Sequence, residues 1–258
     1  MSSTPVIQLE DISFSYENTP VFKSVNLCLH KGDYAAILGP NGGGKSTLIK
    51  LMTGLIKPYS GTLRIGGRSV QDRGQAPYSQ IGYVPQYVNF DSLFPATVME
   101  AVLTGTLKKG WGFYSKKDKL IAEEALEMVG LEAMKNRSFS EISGGQRQRT
   151  LIARALASQQ EILILDEPTA SVDKEVARQF SELLSRLNEK LTIILATHNF
   201  DYVDKDVNRV FCVNQAVVEH PVDQVSDELV SLSYGRSVKA VHHNKALPPH
   251  THQRKKAE

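Results

Sequence analysis

One nine-residue stretch constrains the fold of this 258-residue chain more than any other feature. It reads Gly39-Pro40-Asn41-Gly42-Gly43-Gly44-Lys45-Ser46-Thr47. An apolar run at residues 34–38 precedes it, and a segment with helical apolar periodicity at residues 48–55 follows it. Glycine, four residues and then Gly-Lys-Ser, placed between a strand and a helix, is the pattern of a phosphate-binding loop. We therefore call residues 39–47 the phosphate loop.

Phosphate chemistry accounts for the residue types in this loop. Glycines let the backbone turn tightly and direct its N–H groups inward. The helix start adds unpaired donors and a positive dipole end, which favour an anion. Lys45 supplies a charge for the β and γ phosphates of a nucleotide, and the Ser46 hydroxyl suits Mg²⁺. The alternative, a glycine-rich turn without a ligand, is disfavoured by the Lys-Ser pair and its context.

The hydrophobic pattern on either side of the loop predicts an α/β fold. Residues 6–16 and 27–29 alternate between apolar and polar, which predicts half-buried strands in a small antiparallel sheet. Continuous apolar runs at 162–165 and 192–197 predict parallel strands buried on both faces. A helix with one apolar stripe, residues 174–187, lies between them. Strand, helix, strand in this order predicts a layered fold with a parallel sheet.

The middle of the chain has a different character. Strand signals are lost from about residue 90 to residue 158, and helical patterns replace them, for example at 97–107 and 118–129. We interpret residues 90–158 as a helical subdomain inserted into a core made of residues 1–89 and 159–236. The remaining polar stretch, residues 237–258, is predicted to be a mobile tail.

Composition narrows the functional class. The net charge of +2 gives no general case for nucleic-acid binding. No apolar run approaches the length of a membrane span, and the N-terminus lacks a signal-peptide pattern. Cys28 and Cys212 lie far apart in apolar runs, which predicts free buried thiols in a reducing compartment. We therefore expect a cytosolic protein that can still associate with a membrane partner.

Two carboxylates follow the apolar run at residues 162–165. Carboxylates at the C-terminal end of a parallel strand face the region where open α/β sheets bind ligands. Asp166 is expected to contribute to a Mg²⁺ shell, through water. Glu167 is the candidate general base that activates a water molecule. A strand end closed by an Asp-Glu-Pro turn is the alternative, which the phosphate loop makes less favoured.

A second glycine-containing helix start lies in the predicted helical subdomain. Ser143-Gly144-Gly145-Gln146, here called the signature segment, has capping-box spacing, so helix capping is part of its role. Its two glycines also leave backbone donors open to an anion. Because the phosphate loop already provides one helix N-terminus, this second one is expected to meet the nucleotide of another subunit.

The ordered set of motifs resembles the ATP-binding subunit of ABC transporters. The set comprises the phosphate loop, Gln86, the signature segment, Asp166-Glu167, Ser171-Val172-Asp173 and His198. The likeness covers about residues 6–218. It implies a P-loop NTPase with a RecA-like parallel-sheet core, an N-terminal antiparallel β subdomain and an inserted α-helical subdomain.

The resemblance also implies roles for residues outside the two glycine segments. Tyr16 corresponds to an aromatic residue that stacks on adenine, although an ordinary strand tyrosine is the alternative. Gln86 would contact Mg²⁺ and the attacking water and couple to the membrane subunit. Asp173 would communicate across the dimer. His198 would stabilise charge near the γ-phosphate, the alternative being a satisfied core histidine.

The family mechanism implies several partners. Two copies of such a subunit bind two ATP molecules head to tail, each between the phosphate loop of one copy and the signature segment of the other. Hydrolysis reopens the pair and moves an integral membrane permease. The complete system would include a periplasmic or lipid-anchored metal-binding protein, and the subunit would lie peripherally on the cytoplasmic face of the inner membrane.

Short stretches of the sequence suggest which cargo the transporter carries. Gly42-Gly43-Gly44 and the stretches 81–86, 94–98 and 102–105 resemble the zinc/manganese branch of importer ATPases. Iron-chelate and cobalamin importers are also similar and remain the alternative. An ABC-type ATPase acting on nucleic acid or the ribosome, or an exporter, is less favoured, and we expect no nucleic-acid partner. The tail could bind a transition metal or be a plain polar tail; its histidines are His242, His243, His250 and His252.

Overall fold

The computed structural model describes residues 5–70, 80–86, 95–107, 113–168, 174–198 and 206–222. Its strands are β1 (Pro5–Tyr16), β2 (Thr19–His30), β3 (Tyr34–Leu38), β4 (Ser60–Ile65), β5 (Arg68–Ser69), β6 (Ile81–Val84), β7 (Ile162–Asp166), β8 (Thr192–Thr197), β9 (Arg209–Val213) and β10 (Val217–His220). Its helices are α1 (Lys45–Met52), α2 (Val98–Leu103), α3 (Lys116–Met128), α4 (Gly144–Ala157) and α5 (Lys174–Asn188).

The N-terminal part of the chain forms the predicted antiparallel sheet, with strand order β2-β1-β4-β5. Burial alternates in the first half of β1, where buried Ile7 and Leu9 pair with Leu29 and Leu27 of β2. The alternation of polar and apolar residues in the sequence therefore corresponds to a sheet with one face packed on the core and the other in water.

The second sheet is predominantly parallel, with strand order β10-β9-β3-β8-β7-β6. β3 lies between β9 and β8, and β7 lies between β8 and β6, all in parallel register. Every residue of β3, β7 and β8 is buried. The predicted α/β class is confirmed, and the carboxyl ends of β3, β7 and β8 meet at one edge of the sheet.

The parallel sheet separates two hydrophobic cores. Ile37 and Ile164 face the core that includes α1 and the antiparallel sheet. Leu38 and Leu165 face the core that includes the other helices. Because successive side chains of a strand point to opposite faces, Asp166 at the end of β7 shares the α1 side with Ile164. This alternation decides which carboxylate approaches α1.

Helices α2, α3 and α4 pack against one another and form a layer beside β6. α2 and α3 begin close to the predicted positions, and each begins with a capping box, at Thr97 and Ser115. Among the described residues, no helix combines the length and the apolar character needed to cross a bilayer. Both cysteines are free; Cys212 is buried, but the predicted burial of Cys28 is wrong, since it is only half-buried at the sheet margin.

Candidate active site

The phosphate loop is pressed against the turn between β9 and β10. A side chain at Gly39 would place its Cβ 2.1 Å from the backbone oxygen of Val213, and one at Gly43 would lie 2.7 Å from the same atom. Gln215 N donates to Gly43 O at 3.0 Å. Glycine at these two positions is therefore required by close backbone approach, in addition to any role toward a ligand.

Lys45 is the first residue of α1, and its buried side chain turns back into the loop. Its Nζ donates to Gly39 O at 2.9 Å and to Pro40 O at 3.2 Å. The same nitrogen lies 3.2 Å from Oε1 of Glu167. The ammonium group of Lys45 thus joins the loop to the end of β7, although Lys45 and Glu167 are 122 positions apart in the sequence.

Glu167 and His198 meet at the carboxyl edge of the sheet, where the sequence places both candidates. Glu167 adopts a left-handed backbone conformation, with φ of 47°, and its N–H donates to Ala196 O at 2.9 Å. Its Oε2 lies 2.7 Å from His198 Nδ1 and accepts a hydrogen bond from the His198 N–H at 3.3 Å. The Glu167 carboxylate is therefore held by Lys45 at the start of α1 and by His198 at the end of β8.

Asp166 points to the opposite side of β7 and meets α1. Its side chain is buried and hydrogen-bonded to that of Ser46. Burial raises the pKa of the Asp166 carboxyl, and the Ser46 hydrogen bond opposes this rise only in part. Oδ1 of Asp166 has no hydrogen-bond partner among the described residues. A hydroxyl and a carboxylate with a free oxygen are the hard donors that Mg²⁺ prefers, so these residues fit that ion.

Gln86 and Tyr16 lie at the margins of this arrangement. Val84 is paired with Leu165, so Gln86 follows β6 at the same level as Glu167 follows β7. Tyr16 is 44 % exposed at the end of β1, and its ring makes a T-shaped contact with that of Phe14, with ring centroids 4.9 Å apart. A partly exposed aromatic ring held by a neighbouring ring can stack on a base.

The signature segment is built as a helix start whose outer surface faces solvent. Ser143 Oγ accepts a hydrogen bond from the Gln146 N–H at 3.3 Å, and Gln146 Oε1 accepts one from the Ser143 N–H at 2.9 Å. The capping box is therefore present. Ser143 and Gly144 are exposed, and a Cβ at Gly144 would meet no atom within 4 Å. No contact with the described residues explains why residue 144 is glycine.

Several predicted residues cannot be placed. Ser171, Val172 and Asp173 lie outside the described residues, as do the tail histidines His242, His243, His250 and His252. Their proposed roles stay predictions.

Several residues that support the phosphate loop were not predicted from the sequence. Val213 and Gln215 hold the phosphate loop from the β9–β10 turn, and Phe22 packs against Gly44, where a Cβ would lie 2.8 Å from its ring. Burial and the nearby charge of Asp166 raise the pKa of Tyr83 to about 12. Neither the apolar residues Val213 and Phe22 nor Gln215 in its turn gave a sequence signal of proximity to the site, because their positions depend on strand order.

The assembled groups are suited to phosphate chemistry. A glycine loop with a buried lysine can bind phosphate oxygens, Ser46 and Asp166 can hold a divalent cation, and Glu167 lies beside the lysine as a candidate base. A parallel sheet brings them together because the phosphate loop, Glu167 and His198 all follow adjacent strands.

Known proteins are similar to this chain in sequence and in fold. The sequence profile of a family described as "ABC transporter" matches residues 22–170. The high-affinity zinc uptake system ATP-binding protein ZnuC of Bacillus subtilis is 40 % identical over 210 residues, which are 80 % of this chain and 89 % of that protein. The manganese transport system ATP-binding protein MntB of Halalkalibacterium halodurans is 35 % identical over 235 residues, covering 89 % of this chain and 92 % of that protein. The dimeric structure of a bacterial ABC transporter cassette, 29 % identical, superimposes with a TM-score of 0.72 over 84 % of this chain and 98 % of that one.

Proposed function

The chain belongs to the ABC transporter family as its ATP-binding, ATP-hydrolysing subunit, and from this premise we propose that it energises uptake of zinc or manganese through a separate membrane permease. The observation that carries the ATPase assignment is the convergence of Lys45, Glu167 and His198 at one edge of the parallel sheet. The metal assignment is supported by the relatives named for zinc uptake and for manganese transport.

The proposed chemistry uses each group where the fold places it. The phosphate loop and Lys45 bind the phosphates, and Tyr16 stacks on the adenine. Ser46, Gln86 and Asp166 would hold Mg²⁺, which when bound offsets negative charge on the phosphates. Glu167 accepts a proton from the water that attacks the γ-phosphate, while His198 stabilises the developing charge. Most of the rate enhancement then comes from positioning and electrostatics.

A second copy of the chain completes the site in this proposal. The signature segment offers backbone N–H groups and an open glycine surface at a helix start, which suits an anion from outside the chain. Two copies related by a two-fold axis would each cover the nucleotide of the other. The dimeric structure of the similar cassette supports this arrangement.

The membrane permease is proposed to contact the layer formed by α2, α3 and α4. A cavity of about 400 Å³ lies there, and its lining combines apolar residues with two threonines, Glu100 and Arg154. Burial lowers the pKa of the Arg154 guanidinium, and no anionic partner of Arg154 is found among the described residues. A carboxylate of the permease would satisfy it. In this proposal the subunit lies on the cytoplasmic face of the inner membrane and serves a periplasmic or lipid-anchored metal-binding protein.

The test of the metal assignment is growth of a deletion strain under controlled metal supply. Loss of the gene should impair growth when zinc or manganese is limiting, and supply of the cognate ion should restore it. Complementation with Glu167→Gln should fail, whereas Glu161→Gln, which changes an exposed glutamate before the same strand, should succeed. Growth that responds to neither ion would refute metal uptake and favour the iron-chelate or cobalamin class.

A further inference from the structure

The side chain of Lys45 is surrounded by acceptors from its own chain. Gly39 O and Pro40 O accept hydrogen bonds from Nζ at 2.9 Å and 3.2 Å, and Glu167 Oε1 lies 3.2 Å from the same nitrogen. An ammonium group has three N–H donors. The two carbonyls use two of these donors, which leaves one for which Glu167 and a phosphate oxygen would compete.

Glu167 is the neighbour most easily displaced. The two carbonyls belong to the loop itself, whose shape is fixed by the contacts of Gly39 and Gly43 with Val213. Oε1 of Glu167, in contrast, makes the ion pair without a hydrogen bond of regular geometry. Phosphate, which carries more negative charge than a carboxylate, is the stronger partner for the lysine.

The same contact restrains Glu167. Its Oε2 is engaged by His198, and its Oε1 faces Lys45, so both carboxylate oxygens are occupied by positive or donating groups. While Oε1 is buried and faces the ammonium group, that position is not open to a water molecule. Transfer of Lys45 to a phosphate would free Oε1 for a water molecule.

We propose that the Lys45–Glu167 ion pair is an internal lock on the active site, which competes with nucleotide phosphate for Lys45 and restrains the base until phosphate replaces it. The lock rests on the proposed ATPase function. It couples two events, since binding of the phosphate and release of the base become one exchange of partners.

The Lys45–Glu167 ion pair is buried, which strengthens the attraction between its two charges. The side chains of Lys45 and Glu167 are only 6 % and 5 % exposed, so their attraction is screened little by water or salt. The chain contains a matched comparison at the other end of β7, where Lys31 and Glu161 form an ion pair at 3.6 Å with side chains 68 % and 66 % exposed. Such an exposed pair contributes little.

The experiment measures ADP affinity of the full chain by titration calorimetry in the presence of EDTA. ADP probes the phosphate loop without the γ-phosphate, and EDTA removes any change in metal binding. The variants are Glu167→Asp, Glu167→Gln and the control Glu161→Asp. Aspartate keeps the charge but is shorter by one C–C bond, about 1.5 Å, so it can no longer reach Lys45. It also tolerates the left-handed backbone of residue 167.

The lock predicts that both Glu167 variants bind ADP about tenfold more tightly than the natural chain, equivalent to roughly 1.4 kcal/mol. Glu161→Asp should leave the affinity unchanged. If Glu167→Gln gains affinity while Glu167→Asp does not, simple charge repulsion explains the result and the lock is wrong. If neither gains affinity, the lock is also wrong although the ATPase assignment stands. A natural chain that binds no ADP would overturn the proposed function, and the lock with it.

Discussion

Replacement of Gly144 by alanine separates the role of the signature segment within its own chain from its role toward a second copy. A Cβ at this position meets no atom within 4 Å, and Gly144 is the first residue of α4 after the Ser143 cap. Since alanine favours the helix over glycine by roughly 0.5–1 kcal/mol, Gly144→Ala should stabilise the isolated chain slightly. For a chain of this size that corresponds to a rise of about 1–4 °C in the unfolding midpoint.

The same substitution should abolish most of the ATPase activity if the segment approaches a partner's nucleotide. A methyl group where backbone N–H groups contact phosphate would hold the two copies apart, and loss of one such set of donors costs about 100-fold or more in rate. Differential scanning calorimetry and steady-state phosphate release measure the two effects. The control is Lys116→Ala, at the first residue of α3 behind an equivalent capping box. If Gly144→Ala is as active as Lys116→Ala, the reasoning that places residue 144 against a nucleotide is refuted.

Three further substitutions test other parts of the site. Glu167→Gln should bind ATP, lose turnover and accumulate as an ATP-bound dimer on size-exclusion chromatography; wild-type hydrolysis would exclude Glu167 as the base. Asp166→Asn should remove Mg²⁺-dependent hydrolysis yet raise the unfolding midpoint at pH 7 in EDTA, because burial raises the pKa of the Asp166 carboxyl above that of the unfolded chain. The native state then keeps the Asp166 proton to higher pH than the unfolded chain does, so ionisation of this carboxyl costs stability as pH rises. The stability gained by Asp166→Asn should therefore shrink on acidification toward about pH 4. Gly39→Ala should destabilise by about 1–3 kcal/mol, since its Cβ would overlap Val213 O; an unchanged midpoint would contradict this.

The buried strands were the part of the fold most accessible to sequence reasoning. The apolar runs at 34–38 and 192–197 coincide with β3 and β8, because a strand buried on both faces has to be apolar throughout. The start of α1 was less accessible. Apolar periodicity predicts helix from residue 48, whereas α1 begins at Lys45, since the polar residues of a phosphate loop already have helical backbone geometry.

The contacts between distant segments could not be predicted. The sequence shows that Lys45 and Glu167 each follow a buried strand, but it does not show that β8 lies between β3 and β7. The position of Val213 behind the loop depends on the same strand order. Local pattern thus identified the candidate residues, whereas their distances follow from non-local pairing, which no short-range signal encodes.

The two halves of the proposed site differ in what holds them in place. The half around Lys45 is fixed by the sheet, because Gly39, Glu167 and His198 follow three adjacent strands and are buried or bonded to one another. The signature segment is held by its capping box and by the packing of α4 on its neighbours, and its Ser143 and Gly144 face solvent. A Cβ at Gly144 would meet no atom within 4 Å, so the described part of the fold does not require glycine there. In our proposal, the nucleotide bound to a second copy accounts for the glycine at 144. The buried half, where Lys45 already contacts Glu167, is then the half that changes its contacts when nucleotide binds.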